Sequence, residues 1–388
     1  MALTQTDIQI FNQFAYNGIT ELLREQVNLF NAATQGAITL TTNMRVGDKS
    51  DDVQFSLING LIRDRDVYDN DGDAGTTTIG NRSDTRIKVA AGTPNFIVPD
   101  ALLTWIGRDS AEAGVAYAQQ MTPQIMKDYL HRGLNAFIGA VLNRPDMIIT
   151  TADDSGQVTL QEFVTGSSKF GDQFGDLRCI VMHSTPWHNL VGKNLSNQER
   201  LFKYGDVLIY VDPMGRPMII TDNPALYDSS TGTYRTGMLS TNAISIEDSG
   251  DFRQNVQTSN GKNNIQDTIQ SQWSMSIGVR GYGWKGPLNQ STPTKGALLD
   301  KSNWELTASQ INDTAGVLLQ GTGTVAPIEG VRVQVSEPNP DNAFAPQTDT
   351  GLLPEADTGT QELQPVVEVQ QSTTEAQSVQ ETKQDKKK

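Results

Sequence analysis

Residues 109–143 read DSAEAGVAYAQQMTPQIMKDYLHRGLNAFIGAVLN and carry the longest helical pattern in the chain. Apolar side chains recur there at the three- and four-residue spacing of one helix face. Thr122 is a residue type that caps helices, and Pro123 suits the first position of a helix. We therefore predict a shorter helix that ends just before Thr122 and a long one from Pro123 to about Asn143. Pro145 then prevents its continuation.

The first 45 residues contain a candidate amphipathic helix. Gly18 and the pair Thr20-Glu21 are places where this helix could divide in two. Two interpretations stay open: the helix packs on its own domain, or it is an arm that reaches a neighbouring subunit. The pattern rests on polar residues that separate the apolar residues Ile8, Phe11, Phe14, Tyr16, Ile19, Leu22, Leu23, Val27 and Phe30.

Residues 46–105 have the pattern of a β-hairpin. Residues 53–57 and 87–89 alternate apolar and polar side chains, which predicts two half-exposed strands. The polar segment 64–82 between them is long for a loop of a compact domain. A two-stranded hairpin is only marginally stable alone in water, so we expect it to lie on a second copy of the chain. The expected contacting side chains are Phe55, Leu57, Ile87 and Val89.

Residues 146–255 predict a compact α/β unit. A helix is expected after His183, with Ser184 or Thr185 as its cap and Pro186 at its first position. Strands are expected at 177–182, 206–212 and 217–222, with further strands from 234 to 247.

Within the segment 256–320, residues 262–285 return to strong alternation, which predicts a long strand around Ile277. Residues 298–319 carry enough apolar side chains, Trp304 among them, for a last packed piece. From residue 321 the composition shifts towards Gln, Thr, Glu and Pro, and Phe344 is the last aromatic residue. Such a segment buries too little apolar surface to offset the entropy of the chain. We therefore predict a disordered tail at 321–388.

The charge of the chain argues against a dedicated nucleic-acid binder. Its 388 residues include 45 acidic and 30 basic side chains, which gives a net charge of -15. A nucleic-acid binder would carry a basic surface instead. The single cysteine, Cys179, has no partner for an internal disulfide. No segment has the pattern of a signal peptide or of a membrane-spanning helix, which predicts a soluble protein of the cytosol.

Two groups of residues have the types, but not the spacing, of metal ligands. His183 and His188 stand at i and i+5, whereas a helix that binds zinc places its histidines at i and i+4. The run Asp69–Asp73 resembles part of a calcium loop, but Val67 and Thr78 stand where that loop needs acids. Nucleophile-elbow, P-loop and dinucleotide-binding motifs are absent from the sequence. We therefore predict no metal, cofactor or catalytic residue.

Four stretches follow one another in a characteristic order. They are the long helix at 112–143, VMHS at 181–184 with a helix after it, GRPMIITDNP at 215–224, and GYGW at 281–284 with Ser291, Pro293, Thr294 and Asn303-Trp304-Glu305 beyond it. In order and spacing they resemble the major capsid proteins of tailed bacteriophages with the HK97-type fold. The resemblance covers roughly residues 1–320 and leaves the tail unplaced.

The resemblance implies an α+β, HK97-like capsid fold. Its parts would be an N-terminal arm, an extended β-hairpin loop, a spine helix of a peripheral domain, an α/β axial domain, and return strands with a closing segment. In this chain they would occupy 1–45, 46–105, 106–145, 146–255 and 256–320.

The resemblance also implies a structural protein without enzymatic activity. Copies of the chain would form the hexamers and pentamers of an icosahedral shell around a double-stranded DNA genome, assembled in the host cytoplasm. Scaffolding, portal and decoration proteins would be further partners in the virion. Some family members cross-link a loop lysine to a neighbour; Lys49 and Lys88 are the loop lysines here, and no motif selects either.

Two other interpretations stay open at the level of the sequence. One is an encapsulin-like shell protein of a non-viral compartment with the same fold. The other is a metal-dependent hydrolase that uses His183, His188 or the run Asp69–Asp73. The size of the assembled protein separates the hydrolase from the shell proteins, and the contents of the particle separate the two kinds of shell.

Overall fold

The computed structural model describes most of the chain between Gln5 and Thr322 as one compact unit. Every structural statement below concerns the described residues, which are 5–56, 62–73, 75–76, 78–99, 110–151, 159–193, 200–204, 207–211, 215–228, 232–259, 266–287 and 291–322. Leu57 of the predicted hairpin and the predicted tail from residue 323 onward lie outside these ranges.

The described residues form helices and strands in about equal measure. The helices are α1 (Gln5–Ala33), α2 (Ser110–Val141), α3 (Leu160–Ser168), α4 (Ser184–Lys193) and α5 (Lys295–Leu299). The strands are β1 (Ile38–Thr42), β2 (Lys49–Phe55), β3 (Asn81–Gly92), β4 (Phe96–Pro99), β5 (Ile148–Thr150), β6 (Leu177–Met182), β7 (Arg200–Tyr204), β8 (Val207–Val211), β9 (Pro217–Ile220), β10 (Tyr227–Asp228), β11 (Thr233–Ser240), β12 (Ile244–Asp248), β13 (Arg253–Ser259), β14 (Gln266–Val279), β15 (Tyr282–Trp284), β16 (Trp304–Leu306) and β17 (Gly316–Thr322).

The long helix α2 is continuous, so the predicted break at Pro123 is wrong. Thr122 does not cap a second helix, because its hydroxyl donates to the carbonyl of Ala118 one turn earlier, at 2.9 Å. Proline lacks an N–H and removes one bond from the helical ladder. The apolar face nevertheless continues across this point, with Met121 buried before it and Ile125 after it. Packing therefore holds the helix together where local propensity would divide it.

Helix α1 is also continuous and packs along α2 of its own subunit. Its residues Ile19 and Phe30 are buried in the subunit's core. A Cβ atom at Gly18 would lie 3.0 Å from the Cβ of Ala118, so this glycine lets the two helices approach closely rather than dividing α1. Of the two interpretations left open for the N-terminal helix, packing on its own domain is the one observed for residues 5–33.

A mixed sheet of nine strands is organised around β14. This long strand pairs antiparallel with β12 and β13 along one edge, and with β3, β4 and β15 along the other. The remaining strands extend the sheet outward: β1 pairs parallel with β12, β16 pairs with β15, and β2 pairs with β3. The predicted hairpin is thus the edge of this larger sheet.

Strand β3 joins the hairpin to the core of its own subunit. Its second half pairs with β14, where Ile87 lies opposite Ile277 and Val89 lies opposite Met275. Ile87 and Val89 are both fully buried. The prediction that these two side chains face a second copy is therefore wrong. Their alternation correctly indicated a buried face, but residues of the same subunit, and not of a second copy, bury the two side chains.

A second sheet of eight strands has the order β5-β17-β11-β6-β9-β8-β7, with β10 added to β11. Strands β6 and β9 run parallel, as do β17 and β5, and the other neighbours are antiparallel. The strands predicted at 177–182, 206–212 and 217–222 are present as β6, β8 and β9. Together with α3 and α4, this sheet corresponds to the predicted α/β unit.

Two boundaries of that predicted unit are wrong. Strand β12 falls inside 146–255 but belongs to the nine-stranded sheet, because it pairs with β14. Strand β17 falls after 255 but belongs to the eight-stranded sheet, because it pairs with β11. It also continues to Thr322, past the predicted start of the tail at residue 321. Long-range pairing decides these memberships, and a local pattern does not contain it.

Helix α2 connects the two sheets through two close contacts at glycines. A Cβ atom at Gly133 would lie 2.7 Å from Cδ1 of Ile246 on β12, and one at Gly237 on β11 would lie 2.8 Å from Cε1 of Phe137. Glycine at both positions lets the helix lie directly on each sheet. A single hydrophobic core therefore extends through both sheets and the helix between them.

Candidate assembly surface

The hairpin formed by β2 and β3 has one free edge. Ser56 N donates to Gly80 O at 3.0 Å and Lys88 N donates to Asp48 O at 2.9 Å, so even-numbered residues of β2 direct their backbone bonds to β3. The N–H and C=O groups of the odd-numbered residues between them point away from β3. Among the described residues, β2 pairs with β3 alone. This edge is open to a further strand.

The outer face of the hairpin presents two apolar side chains to solvent. Val53 is 64% exposed and Phe55 is 83% exposed. The segment that connects the two strands exposes four further large hydrophobic side chains, and Tyr68 among them is 93% exposed. They are Ile62, Val67, Tyr68 and Ile79. Single exposed apolar residues are common, but a group concentrated on one projecting element indicates a contact surface. Phe55 is therefore exposed and available for the predicted contact, whereas Ile87 and Val89 are buried.

The inner face of the hairpin is charged and buried. Arg45, which follows β1, donates to Glu247 of β12 at 2.6 and 2.9 Å and to Asp52 of β2 at 2.9 Å. Arg86 of β3 forms an ion pair with the same Asp52. Its Nη1 also lies 3.2 Å from Oε1 of Glu247, but the two groups are not aligned for a hydrogen bond. The pKa of Arg45 is raised, and the hydrogen bond to Glu247 is the largest cause of this shift. We call these four residues the hairpin clamp.

A second group of charges continues from the hairpin clamp towards the loop before β17. Arg82 of β3 forms an ion pair with Asp313 and lies 3.3 Å from Asp84. The carboxylate of Asp84 accepts the backbone N–H of Gly281 at 3.0 Å. Arg280 lies 3.5 Å from Asp313, which links the hairpin to the turn between β14 and β15. The first half of β3 is thus attached to the body by ion pairs.

Sequence reasoning missed this layer, although a signal was present. Positions 82–86 read Arg-Ser-Asp-Thr-Arg, which places three charges on one face of a strand. Charged side chains normally indicate a solvent-exposed face. Here Arg82, Asp84 and Arg86 are all buried, because each has a partner of opposite charge.

The two loop lysines have ordinary structural contacts at the root of the hairpin. Lys49 Nζ donates to the carbonyl of Gly286 at 3.3 Å. Lys88 Nζ lies 3.5 Å from the carbonyl of Arg45. Both contacts fix the lysines on their own subunit, and neither lysine is distinguished as a cross-linking residue.

His183 and Asp222 come together at the carboxyl ends of the parallel strands β6 and β9. His183 Nε2 lies 3.6 Å from Asp222 Oδ1, and Ser184 Oγ donates to the same carboxylate oxygen. Ser184 therefore bonds to the acid instead of to a histidine, so this group does not activate a serine. Nδ1 of His183 accepts the N–H of Thr185 at 3.2 Å. The pKa of His183 is lowered, and burial of the imidazole is the largest cause of this shift.

The candidate metal ligands are not gathered around a common point. His188 Nδ1 lies 2.7 Å from Ser184 O, on its own helix. In the run Asp69–Asp73, Asp69 Oδ1 accepts the N–H groups of Asp71 and Gly72 at 3.1 and 3.0 Å, as in a solvated turn. Among the residues that the structure describes, no three His, Cys, Asp or Glu side chains could hold an ion together.

No helix in the described part of the chain is both long enough and apolar enough to cross a membrane.

Several solved shell structures share a distant likeness with this chain. The cyanophage Pam1 capsid matches with a TM-score of 0.43 and 9% identity over 74% of this chain and 89% of that chain. The head structure of Helicobacter pylori bacteriophage KHP40 matches with a TM-score of 0.42 and 10% identity, over 75% of this chain and 88% of that chain. The SrpI encapsulin complex of Synechococcus elongatus matches with a TM-score of 0.41 and 11% identity, over 74% of this chain and 85% of that chain.

No curated protein sequence matches this chain. The family model described as major capsid protein 13-like matches residues 7–318, which include both sheets, the hairpin and α2. This match, and not the distant superpositions, carries the assignment. The chain belongs to the major capsid protein 13-like family and is a structural capsid protein, and its described residues form the expected α+β fold.

Proposed function

We propose that copies of this chain assemble into the icosahedral shell, made of hexamers and pentamers, that encloses the double-stranded DNA of a tailed phage. The observation that carries this proposal is the two-faced hairpin. Its inner face is bonded to its own subunit through the hairpin clamp, while its outer face presents Val53 and Phe55 to solvent. A fixed element with an exposed apolar face is suited to contact a second copy.

The proposed contact joins the outer face and the free edge of β2 to a neighbouring subunit. Phe55 and Leu57 are its proposed apolar residues, with Val53 in place of Ile87 and Val89. An unpaired strand edge is a ready site for pairing with another chain. A closed shell also requires repeated, self-complementary contacts between identical subunits, and such contacts need no catalytic group.

The domain roles are part of the same proposal. Residues 1–45 would be the N-terminal arm, and α2 with the nine-stranded sheet would form the peripheral domain. The eight-stranded sheet would form the axial domain. Scaffolding, portal and decoration proteins are proposed partners, and assembly is proposed to take place in the host cytoplasm.

The proposal includes no enzymatic activity and no sequence-specific contact with DNA. Ser184 Oγ donates to Asp222, and His183 lies 3.6 Å from the same carboxylate oxygen, which is not the geometry of a nucleophile and its base. The net charge of -15 favours packaging without tight binding, because a negatively charged chain repels phosphates.

Electron microscopy of the purified protein tests this proposal. We expect closed shells of uniform diameter from the full chain, and DNA protected from nuclease in particles made in infected cells. A small soluble oligomer would contradict the shell function. Shells that enclose a protein cargo instead of DNA would identify an encapsulin-like compartment.

A further inference from the structure

The hairpin is attached to its subunit in two physically different ways. From Ile87 onward, β3 is held by backbone pairing with β14 and by apolar burial in the nine-stranded sheet. Before Ile87, the inner face carries Arg82, Asp84 and Arg86, so this part of the hairpin contacts the body through charged groups. The pairing with β14 does not extend to this part, whereas charge-assisted hydrogen bonds, which require a defined distance and angle, do hold it. The charged layer is therefore the part that can specify a direction.

The hairpin clamp links parts of the chain that are far apart in sequence. Asp52 belongs to β2 and moves with the hairpin, while Glu247 lies on β12 inside the sheet. Arg45 and Arg86 each contact both of these acids, so positive and negative groups alternate around a closed ring. A rotation of β2 away from the sheet would separate Asp52 from Arg45. The remaining charges of the ring would then lack a full set of partners.

The ring is also largely removed from solvent. The side chains of Arg86 and Glu247 are 10% and 9% exposed, and that of Asp52 is 19% exposed. Water therefore cannot readily replace a lost partner at these groups, and an unpaired charge there is unfavourable. This penalty restricts the hairpin to the orientation in which all four groups are paired.

We propose that Arg45, Asp52, Arg86 and Glu247 are positioning residues that fix the direction in which the hairpin leaves its subunit. The clamp determines where Val53 and Phe55 meet a second copy, a consequence that rests on the proposed shell function. The fixed direction itself is a property of a single chain and can be measured without assembly.

Distances between two spin labels test the fixed direction. Labels are attached at Val53→Cys on β2 and Val164→Cys on α3, both exposed positions. Cys179 is buried, and burial raises its pKa, so its thiol stays unlabelled. Labelled chains are diluted with unlabelled chains, so that each distance is measured within one chain. The test variant, Arg45→Gln, Asp52→Asn, Arg86→Gln and Glu247→Gln, removes every charge of the ring without leaving one unpaired.

The matched control removes a comparable ion pair far from the hairpin. Asp128 of α2 lies 2.7 Å from Arg132 and 2.6 Å from Lys295, and Asp128→Asn breaks both contacts. We expect a single narrow distance peak from the wild type and the control, and loss of that peak from the folded test variant. Asp52→Asn should broaden the peak, and Asp52→Glu, which restores the charge, should narrow it again.

A narrow peak in the folded test variant would overturn the proposal, and so would equal broadening in the control. If the test variant has lost its far-ultraviolet circular dichroism, Asp52→Asn and Glu247→Gln decide by the same criterion. Electron microscopy of the same variants without the two label cysteines gives the second readout, in which loss of uniform shells should accompany the loss of the narrow peak. Wild-type chains that form no shells would contradict the proposed function while leaving the distance measurement intact.

Discussion

Ile87 and Phe55 belong to one hairpin but have opposite environments. Ile87 pairs with Lys49 at the root of the hairpin and is fully buried, whereas Phe55 pairs with Asn81 near its far end and is largely exposed. Both residues were expected to contact a neighbouring copy. Only Phe55 is available to do so, because β3 continues past the hairpin into the sheet.

The first prediction compares an aspartate at each of these two positions. Ile87→Asp should leave little soluble protein, because a buried, unpaired carboxylate costs several kcal/mol of a typical stability of about 5–15 kcal/mol. Phe55→Asp should keep the wild-type melting temperature and lose assembly. Soluble yield, thermal melting and sedimentation measure these outcomes. Normal yield from Ile87→Asp would mean that the root of the hairpin is not core.

The second prediction concerns His131 of α2, whose Nε2 lies 3.1 Å from Thr221 Oγ1. Burial, with the nearby Lys127 and Lys295, lowers the pKa of His131 from 6.5 to about 4, while Asp128 and Asp222 oppose the shift. The unfolded chain therefore binds a proton more readily between these two values. The resulting loss in the free energy of unfolding is absent above pH 6.5 and grows as the pH falls to about 4.

Because the imidazole is partly hydrated, we expect this penalty to reach about 1–2 kcal/mol. Denaturant unfolding at pH 7 and pH 4.5 measures it. The loss of stability between these values should be smaller in His131→Gln than in the wild type. An equal loss in both proteins would show that His131 is hydrated in the folded state.

At the scale of elements, α2 keeps its apolar face across a proline. The sequence pattern located this helix correctly between its outer limits. It failed at Pro123, because capping and propensity are local, whereas the continuous α2 is also held by packing against α1 and both sheets. The same reason explains α1, in which Gly18 serves a close contact with α2 and not a helix end.

The third prediction follows from that conflict in α2. Pro123→Ala restores the missing N–H, and alanine in a helix interior is favoured over proline by about 3 kcal/mol before proline's restriction of the unfolded chain is subtracted. We expect a net gain of about 1–2 kcal/mol in the free energy of unfolding. Denaturant unfolding monitored by circular dichroism measures the change. A lower stability would mean that Pro123 makes a packing contact worth more than the restored bond.

Strand positions were more predictable than strand partners. Apolar runs located β6, β8 and β9, and alternation located β14, from the residues alone. It did not indicate that β12 joins the nine-stranded sheet or that β17 closes the other, because both pairings connect distant segments. The hairpin clamp was hidden for a similar reason. Arg45 and Glu247 are 202 positions apart, and nothing local to either one identifies its partner.

At the scale of the whole molecule, the fold should not depend on the polar tail. The fourth prediction is that truncation after Pro327 leaves the melting temperature unchanged, because the composition beyond it favours no packed core. Truncation after Ala315 is the matched comparison. It removes Val317, Leu318 and Leu319, whose burial contributes about 1.5–3 kcal/mol each. Thermal melting distinguishes the two, and a large loss from the first truncation would show that the tail packs.

The resemblance of four ordered stretches predicted the family, which the family match confirms, and an α+β fold, which the helices and the two sheets of the described residues confirm. The surface for assembly was predicted only in part. Periodicity indicates which face of a strand is buried, but it does not indicate whether the cover comes from the same chain or from another copy. The exposed Phe55 and the buried Val89 have the same local pattern and opposite roles.

Replacement of the exposed part of the hairpin tests whether the hairpin joins neighbouring subunits. Residues 53–83 are exchanged for a short Gly/Ser turn, which removes Val53 and Phe55 and leaves the hairpin clamp, Ile87 and Val89 in place. Sedimentation and electron microscopy then compare this chain with the wild type, with circular dichroism to verify the fold. We expect a folded subunit or small oligomer that builds no shells. Shells of normal size from the shortened chain would contradict the intersubunit role.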